Sequence, residues 1–336
     1  MTATHQLSGT DLLRTVRENL APYRATIEPA DHTVAVLRFT PAETDPPQWA
    51  RRMEASRISA EQKVRAFTHL GYTVDHRVLP GTTPEAEFAR TIQALNVDPA
   101  VRAVIVQFPP PARLTPFVQW LEPAKDIDAL LEDRSPYPAC ATAEGISRVV
   151  APFARDADIA VVGARGFVGR GVVRLLEAHG FNVTPLDLGD DLRRAAEADI
   201  VVSTAGQPHL LTPEHIRPHH RLVVDSGFTP LSGGGVAGDI HPAAATIPQN
   251  LTPVPGGIGP VEMAVLMDRI VRQEAAPALK PWSFPPTPYL TRRQYAAGLA
   301  SPSTPTPPSP TQSPRPSVQP PQQHRRDQGP NSSRSR

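Results

Sequence analysis

The chain has 336 residues, room for two domains or three, and 40% of them are apolar, enough for a sizeable core. Lys plus Arg number 34 against 33 Asp plus Glu, a balance that argues against nucleic-acid binding through bulk charge. A lone cysteine, Cys140, excludes an internal disulfide framework. With no signal-peptide start and no long uncharged apolar run, the expectation is a soluble, cytoplasmic protein with no membrane contact.

In chain order, Thr33–Arg38 reads as a buried strand. Residues 48–70 read as a helix with Ala60, Val64, Phe67 and Leu70 on one face and Gly71 as its stop. A strand at 73–79, a helix at 84–95 and the apolar run Val101–Gln107 follow, a strand–helix alternation that predicts a parallel sheet covered on both faces. A proline cluster at Pro109–Pro111 and a polar stretch to about residue 140 read as the end of the first domain. The second series has strands at 158–162, 181–187, 199–204 and 221–226, helices at 167–179 and 190–197, and a final helix at 259–277. The fold class expected is α/β: two domains with parallel sheets, the second Rossmann-like. Residues 281–336 hold 14 of the 41 prolines and seven arginines, so a disordered tail is expected there. It reads as a solvated extension, with a proline-reading domain or an acidic surface as the alternative partner.

Ile159–Gly169 (IAVVGARGFVG) carries a strand into a glycine turn and then a helix, which places backbone N–H groups where a pyrophosphate binds. Gly163, Gly166 and Gly169 are spaced by three, unlike the G-x-G-x-x-G fingerprint, so the dinucleotide reading rests on the βαβ context. Asp187, at the end of the next strand, suits the ribose hydroxyls of NAD and would repel the 2′-phosphate of NADP; an ordinary loop aspartate is the bland alternative.

Ser59 and Lys63 are four apart on one helix face, beside the apolar stripe. In a partly dry cleft the ammonium form of Lys63 would be disfavoured, making the amine a proton acceptor near neutral pH, although most helix lysines are solvated surface charges. Gln107 ends a strand where open sheets place ligands. Asp126 and Asp128 could hold a metal or a guanidine-like ring edge, or simply cap a short helix. Thr252–Pro260 (TPVPGGIGP) forms a rigid loop with little side-chain bulk, suited to close backbone approach or to a plain interdomain turn. The histidines lack metal-ligand spacing and no metal site is expected.

Together these segments resemble the bifunctional methylenetetrahydrofolate dehydrogenase/methenyltetrahydrofolate cyclohydrolase family of the bacterial FolD type, over residues from about 10 to 278. ALNVDPAVRAVIVQFPPP, EPAKDIDAL, VVGARGFVG, ADIVVSTAGQP, VVDSGFTPLSGGGVAGDI and TPVPGGIGPVEMAVLM are similar to its motifs, in the same order. The resemblance implies a folate-binding catalytic domain over 1–140, an NAD(P)-binding domain over 141–258, and a last helix at 259–278 that packs back on the first. It implies that Lys63 is the catalytic lysine, that Gln107 hydrogen-bonds it, and that Asp128 reads the pterin amino edge. Ser59, Pro255, Gly256 and Gly257 would face the substrate. Gly163, Ala164, Arg165, Gly166, Gly169, Asp187, Gly206 and Phe228 would face the cofactor, NADP by family habit and NAD by the chemistry of Asp187. A homodimer is implied as well.

Departures from the family pattern cluster at binding positions. Ser59 stands where the family has tyrosine, Ala129 where it has glycine, Ala164-Arg165 where it has Arg-Ser or Ala-Ser, Leu186-Asp187 where it has His-Ser or a similar pair, and Glu262 where it has threonine. The expected activity is oxidation of 5,10-methylenetetrahydrofolate, with hydrolysis of the methenyl product beside it. Two other readings compete: a specialised-pathway paralogue acting on a modified one-carbon carrier, and a non-catalytic cofactor-binding protein that recruits a partner through its tail.

Overall fold

The computed structural model describes residues 3–284. Strand β1 (His5–Gln6) leads into helix α1 (Gly9–Leu20), whose start is capped by Ser8 accepting a hydrogen bond from the Asp11 N–H. A single helical turn, α2 (Arg24–Ile27), precedes the central strand β2 (Thr33–Thr40). Helix α3 (Pro47–Leu70) starts with proline at its first position and ends on Gly71 (φ +99°), whose N–H closes onto Phe67 O and Thr68 O. Strand β3 (Thr73–Pro80), helix α4 (Glu85–Val97) and strand β4 (Val101–Val106) complete a three-stranded parallel sheet ordered β3-β2-β4. Val34–Leu37 are fully buried, as a strand covered on both faces requires.

The stretch from 112 to 140, which the sequence suggests is polar, is apolar at several positions. It contains short turns and the one-turn helix α5 (Thr115–Val118), and it lays Leu114, Val118, Leu121, Leu130 and Leu131 onto the core of the first sheet beside Phe39 and Phe88. Lys125 fixes it by donating to the carbonyls of Leu95, Asn96 and Asp98 at 2.7 Å each, a cation at the C-terminal end of α4.

Helix α6 (Ala141–Val150) follows, then strand β5 (Asp158–Val162), helix α7 (Phe167–Ala178) and strand β6 (Asn182–Leu186). The helix expected at 190–197 is a 3₁₀ segment, Leu192–Glu197. Eight residues separate the Asp191 cap from the next strand, and so short a connection takes the tighter i→i+3 bonds of 3₁₀ geometry. Strands β7 (Ile200–Ser203) and β8 (Leu222–Asp225), the hairpin β9 (Thr229–Pro230) and β10 (Val236–Ala237), and β11 (Asn250–Leu251) lead to helix α8 (Ile258–Glu274). The second sheet runs β1-β11-β8-β7-β5-β6, with every pair parallel. β5 lies between β6 and β7, so the order reverses there, the position at which open parallel sheets take ligands at the carboxyl ends of their strands.

The two ends of the chain cross over. β1 pairs with β11 in the second sheet, while α8 packs against α1, α3 and α6. Gly145 of α6 lies so close to α8 that an added Cβ would meet the Val261 side chain at 2.6 Å. Trp282, on the segment expected to be a disordered tail, is instead buried at 2% exposure with the Arg148 guanidinium over its ring at 4.6 Å. The rest of that segment, 285–336, lies outside the described residues. Among the described residues no helix is long and apolar enough to cross a membrane.

Candidate active site

A cavity of about 930 Å³ opens between the two sheets. Its wall is built by α3 (Arg52, Ser56, Ser59), the end of β4 (Gln107), the loops after β7 and β8 (Gly206, Phe228), and Pro255–Gly257 ahead of α8. The 253–259 loop needs its glycines: a Cβ on Gly257 would meet Pro253 O at 2.5 Å, and α1 packs directly on it through Thr10 N–H donating to Gly256 O. All four expected substrate-facing positions, Ser59, Pro255, Gly256 and Gly257, reach this cavity.

Lys63 and Asp128 do not reach it. Lys63 is 1% exposed, and its Nζ donates to Ser59 Oγ at 3.1 Å and to Glu262 Oε1 in a short ion pair. Glu262, on the first turns of α8, stands in the cavity wall in front of it. This corrects two expectations. Burial alone would lower the lysine pKa, but the negative charges of Glu262 and Asp128 outweigh it and hold Lys63 above its ordinary value as an ammonium, so it is no proton acceptor near neutral pH. Nor does Gln107 hydrogen-bond Lys63: among the described residues Gln107 Oε1 has no hydrogen-bond partner, and Lys63 Nζ donates to Glu262 and Ser59.

The two acids of the KDID segment act as backbone caps. Asp126 accepts from Leu130 and Leu131 N–H at 2.9 and 3.0 Å, and Asp128 accepts from Ala141 N–H at 2.9 Å at the start of α6. Ala129, directly after Asp128, has φ +51°, the left-handed conformation that a glycine would adopt without strain. Arg269 of α8, fully buried, locks this segment through Ile127 O at 2.7 Å and Ala139 O at 2.6 Å, and pairs with Glu144. Burial pushes the adjacent Cys140 thiol up to about 12, so it stays protonated.

The glycine turn and Asp187 lie beyond the cavity wall, at the carboxyl ends of β5 and β6. Gly163 has φ +83° and no room for a side chain, since a Cβ would meet Ala205 N at 2.8 Å. Gly166 begins α7 with no side-chain cap, leaving first-turn N–H groups for an anion. Asp187 faces the turn: Oδ2 accepts from Arg165 N–H at 2.7 Å and Oδ1 from Leu188 N–H at 2.7 Å. The Arg165 bond holds its carboxyl below the usual range. Ala164 is buried with its N–H bonded to Leu186 O, while Gly169 presses on the Gly163 backbone. This uncapped helix start, with an acid at the next strand end, fits a dinucleotide cofactor.

Two carboxylates to which the sequence reading gives no role shape the loops between the turn and the cavity. Asp239 accepts from Ser203 Oγ at 2.7 Å and from the N–H groups of Ala205, Gly206 and Gln207. Asp225 accepts from Gly227, Asp239 and Ile240 N–H, and burial pushes its carboxyl up to about 6. Their only signal in the sequence is their place in the VVDSG and GDI segments.

Residues 7–128 match the family model for the tetrahydrofolate dehydrogenase/cyclohydrolase catalytic domain, and residues 140–277 match the one for its NAD(P)-binding domain. The chain belongs to the tetrahydrofolate dehydrogenase/cyclohydrolase family. It is similar to the bifunctional protein FolD of Acidiphilium cryptum (strain JF-5), 31% identical over 240 residues, covering 66% of this chain and 85% of the relative. Its fold is that of the Campylobacter jejuni bifunctional enzyme FolD (TM-score 0.68, 23% identity, 81% of this chain and 99% of the other). The Trypanosoma brucei FolD, complexed with NADP cofactor and an inhibitor, is similar in the same way (TM-score 0.69, 22% identity, 81% and 98% covered).

Proposed function

We propose that this family member oxidises 5,10-methylenetetrahydrofolate to the methenyl cation with a nicotinamide dinucleotide and hydrolyses that cation to 10-formyltetrahydrofolate. The observation that carries the reading is the single cavity walled on one side by Ser59 and Gln107 and on the other by Gly206 and Phe228. Such a wall lets a folate one-carbon bridge and a nicotinamide ring approach each other across the cleft, so that positioning supplies much of the rate. The bound nicotinamide supplies the hydride acceptor.

Under this reading residues 1–140 with α8 hold folate, and residues 141–258 hold the dinucleotide. The pyrophosphate rests on the Gly163–Gly169 turn, and Asp187 accepts from the ribose hydroxyls, which favours NAD over NADP. Gln107, with a free carbonyl oxygen, and Pro255–Gly257 orient the pterin; Asp128 shapes that end of the site. Hydride loss leaves a cation. An unpaired Lys63 ammonium would oppose it, whereas the neutral Lys63–Glu262 pair does not. The protein works in the cytoplasm as a homodimer, and a protein partner for the proline-rich tail remains part of the reading.

The serine at 59 and the acid at 262 also favour a second reading, a paralogue whose one-carbon carrier differs from ordinary folate near the reacting bridge. Absorbance assays with 5,10-methylenetetrahydrofolate and either NAD or NADP decide between them. The first reading expects reduced cofactor in the wild type with at least one of the two dinucleotides. A folded protein that binds folate but turns over with neither cofactor contradicts it.

A further inference from the structure

Sequence and geometry both single out Glu262. It occupies a position where the family pattern carries a neutral hydroxyl, on the turn that follows the glycine-proline loop. It is the carboxylate beside Lys63 that reaches the cavity: Glu262 lines the wall with its side chain 14% exposed, while Lys63 at 1% lies behind it. Ser59 Oγ and the Glu262 carboxylate share the lysine ammonium, so the carboxylate is fixed in place by a buried cation. Ser59 and Glu262 both line the cleft.

We propose that Glu262 is the proton acceptor for hydrolysis of the one-carbon bridge and that Lys63 is a positioning residue. The inference rests on the folate reading above. The oxygen of a cleft water bonds to the methenyl carbon as one of its protons passes to Glu262, giving a neutral hydroxyl adduct. The adduct's hydroxyl proton then moves to folate N5 as the carbon–N5 bond breaks and the formyl C=O forms on N10. Glu262 releases its proton to solvent, so one proton leaves for each cation hydrolysed. The raised pKa of Lys63 agrees with this division of labour, since an ammonium cannot take the proton.

The test is the initial rate of methenyltetrahydrofolate hydrolysis against pH for the full-length wild type, Glu262→Gln, Glu262→Asp and Glu262→Thr, with dehydrogenase turnover followed in parallel. The proposal expects a wild-type rate that falls in acid. It expects a loss of roughly 100-fold in Glu262→Gln with that acid limb gone, and partial recovery in Glu262→Asp. Should Glu262→Gln fail to fold, Glu262→Thr replaces it. There too the rate should drop by roughly 100-fold and the acid limb should be gone. Wild-type dehydrogenase turnover together with a Glu262→Gln hydrolysis rate and pH profile equal to wild type overturns the role of Glu262 alone. Absence of turnover on folate in the wild type overturns the functional reading and this inference with it.

Discussion

Phe108 stacks on Phe167 with ring centroids 4.9 Å apart and planes 15° from parallel. The first ring follows β4 and its neighbour Gln107 in the cleft; the second is the opening residue of α7, directly after the glycine turn. Phe167 also packs against the core of the first sheet. The glycine turn ahead of α7 is therefore anchored in the core of the first sheet by one aromatic pair. Such a pair contributes about 1 kcal/mol beyond the area it buries. Phe167→Ala should lower the unfolding midpoint by several degrees and raise KM for the nicotinamide cofactor more than KM for folate. Equal effects on both constants, measured by steady-state kinetics, would remove the coupling role.

Asp187 should set cofactor choice. Its carboxylate stays ionised, held there by the Arg165 N–H, and faces the turn where a 2′-phosphate would come. Replacing Asp187 by Ser should raise kcat/KM for NADP relative to NAD by about tenfold or more, the scale of one removed like-charge contact. An unchanged ratio would show that the acid serves only the turn.

Arg269 ties the last helix to the segment that carries Asp128. Removing it by Arg269→Met leaves Glu144 buried without its main partner and two carbonyls unpaired, a loss of about 3–5 kcal/mol. Adding Glu144→Gln should return part of that loss, since the stranded charge is then gone. Denaturant titration of the single and double variants checks the cycle, and strict additivity would contradict it.

His220 gives the fold an acid sensitivity. Its ring is fully buried, its Nδ1 accepts from the Arg217 N–H, and burial pushes its pKa down to about 4. The unfolded chain takes up that proton near pH 6.5, the folded chain only near 4, so this contribution is complete above pH 6.5 and is lost as pH falls toward 4. Asp225, raised to about 6, acts in the opposite direction over an overlapping range, so the total curve is flattened. His220→Gln isolates the term: the difference between wild type and variant should shrink on acidification by on the order of 2–3 kcal/mol. A difference in unfolding free energy that does not vary with pH would contradict the assignment.

The parallel strands were legible because β2, β4, β5, β7 and β8 are short apolar runs between turn signals, and parallel sheets bury such strands on both faces. Helix α6 was not assigned, although ATAEGISRVV buries Ile146, Val149 and Val150 beside its small residues; at ten residues it is short, and it carries no side-chain cap to mark its start. Nor was any element assigned before Thr33, although α1 carries a cap at Ser8 and apolar residues at 12, 13, 16 and 20. What no local pattern holds is that its partner is α8, at the far end of the chain.

The site shows the same limit. Lys63, Gln107 and Asp128 could be picked out by motif, and Ser59 and Glu262 by their departure from it. Residue order does not reveal that Glu262, 199 residues away, pairs with Lys63 and makes the expected base a fixed cation. Asp225 and Asp239 became visible only once their backbone donors were in place.

The central claim is hydride transfer from the folate bridge to a nicotinamide in this cleft. Its most direct test uses 5,10-methylenetetrahydrofolate deuterated at the bridge, incubated with wild-type protein and the preferred dinucleotide, with the reduced cofactor recovered for mass spectrometry. The account predicts reduced cofactor carrying one deuterium, formed in step with the methenyl absorbance. Recovered dinucleotide that remains oxidised and unlabelled, from protein that is folded and binds both ligands, would contradict it.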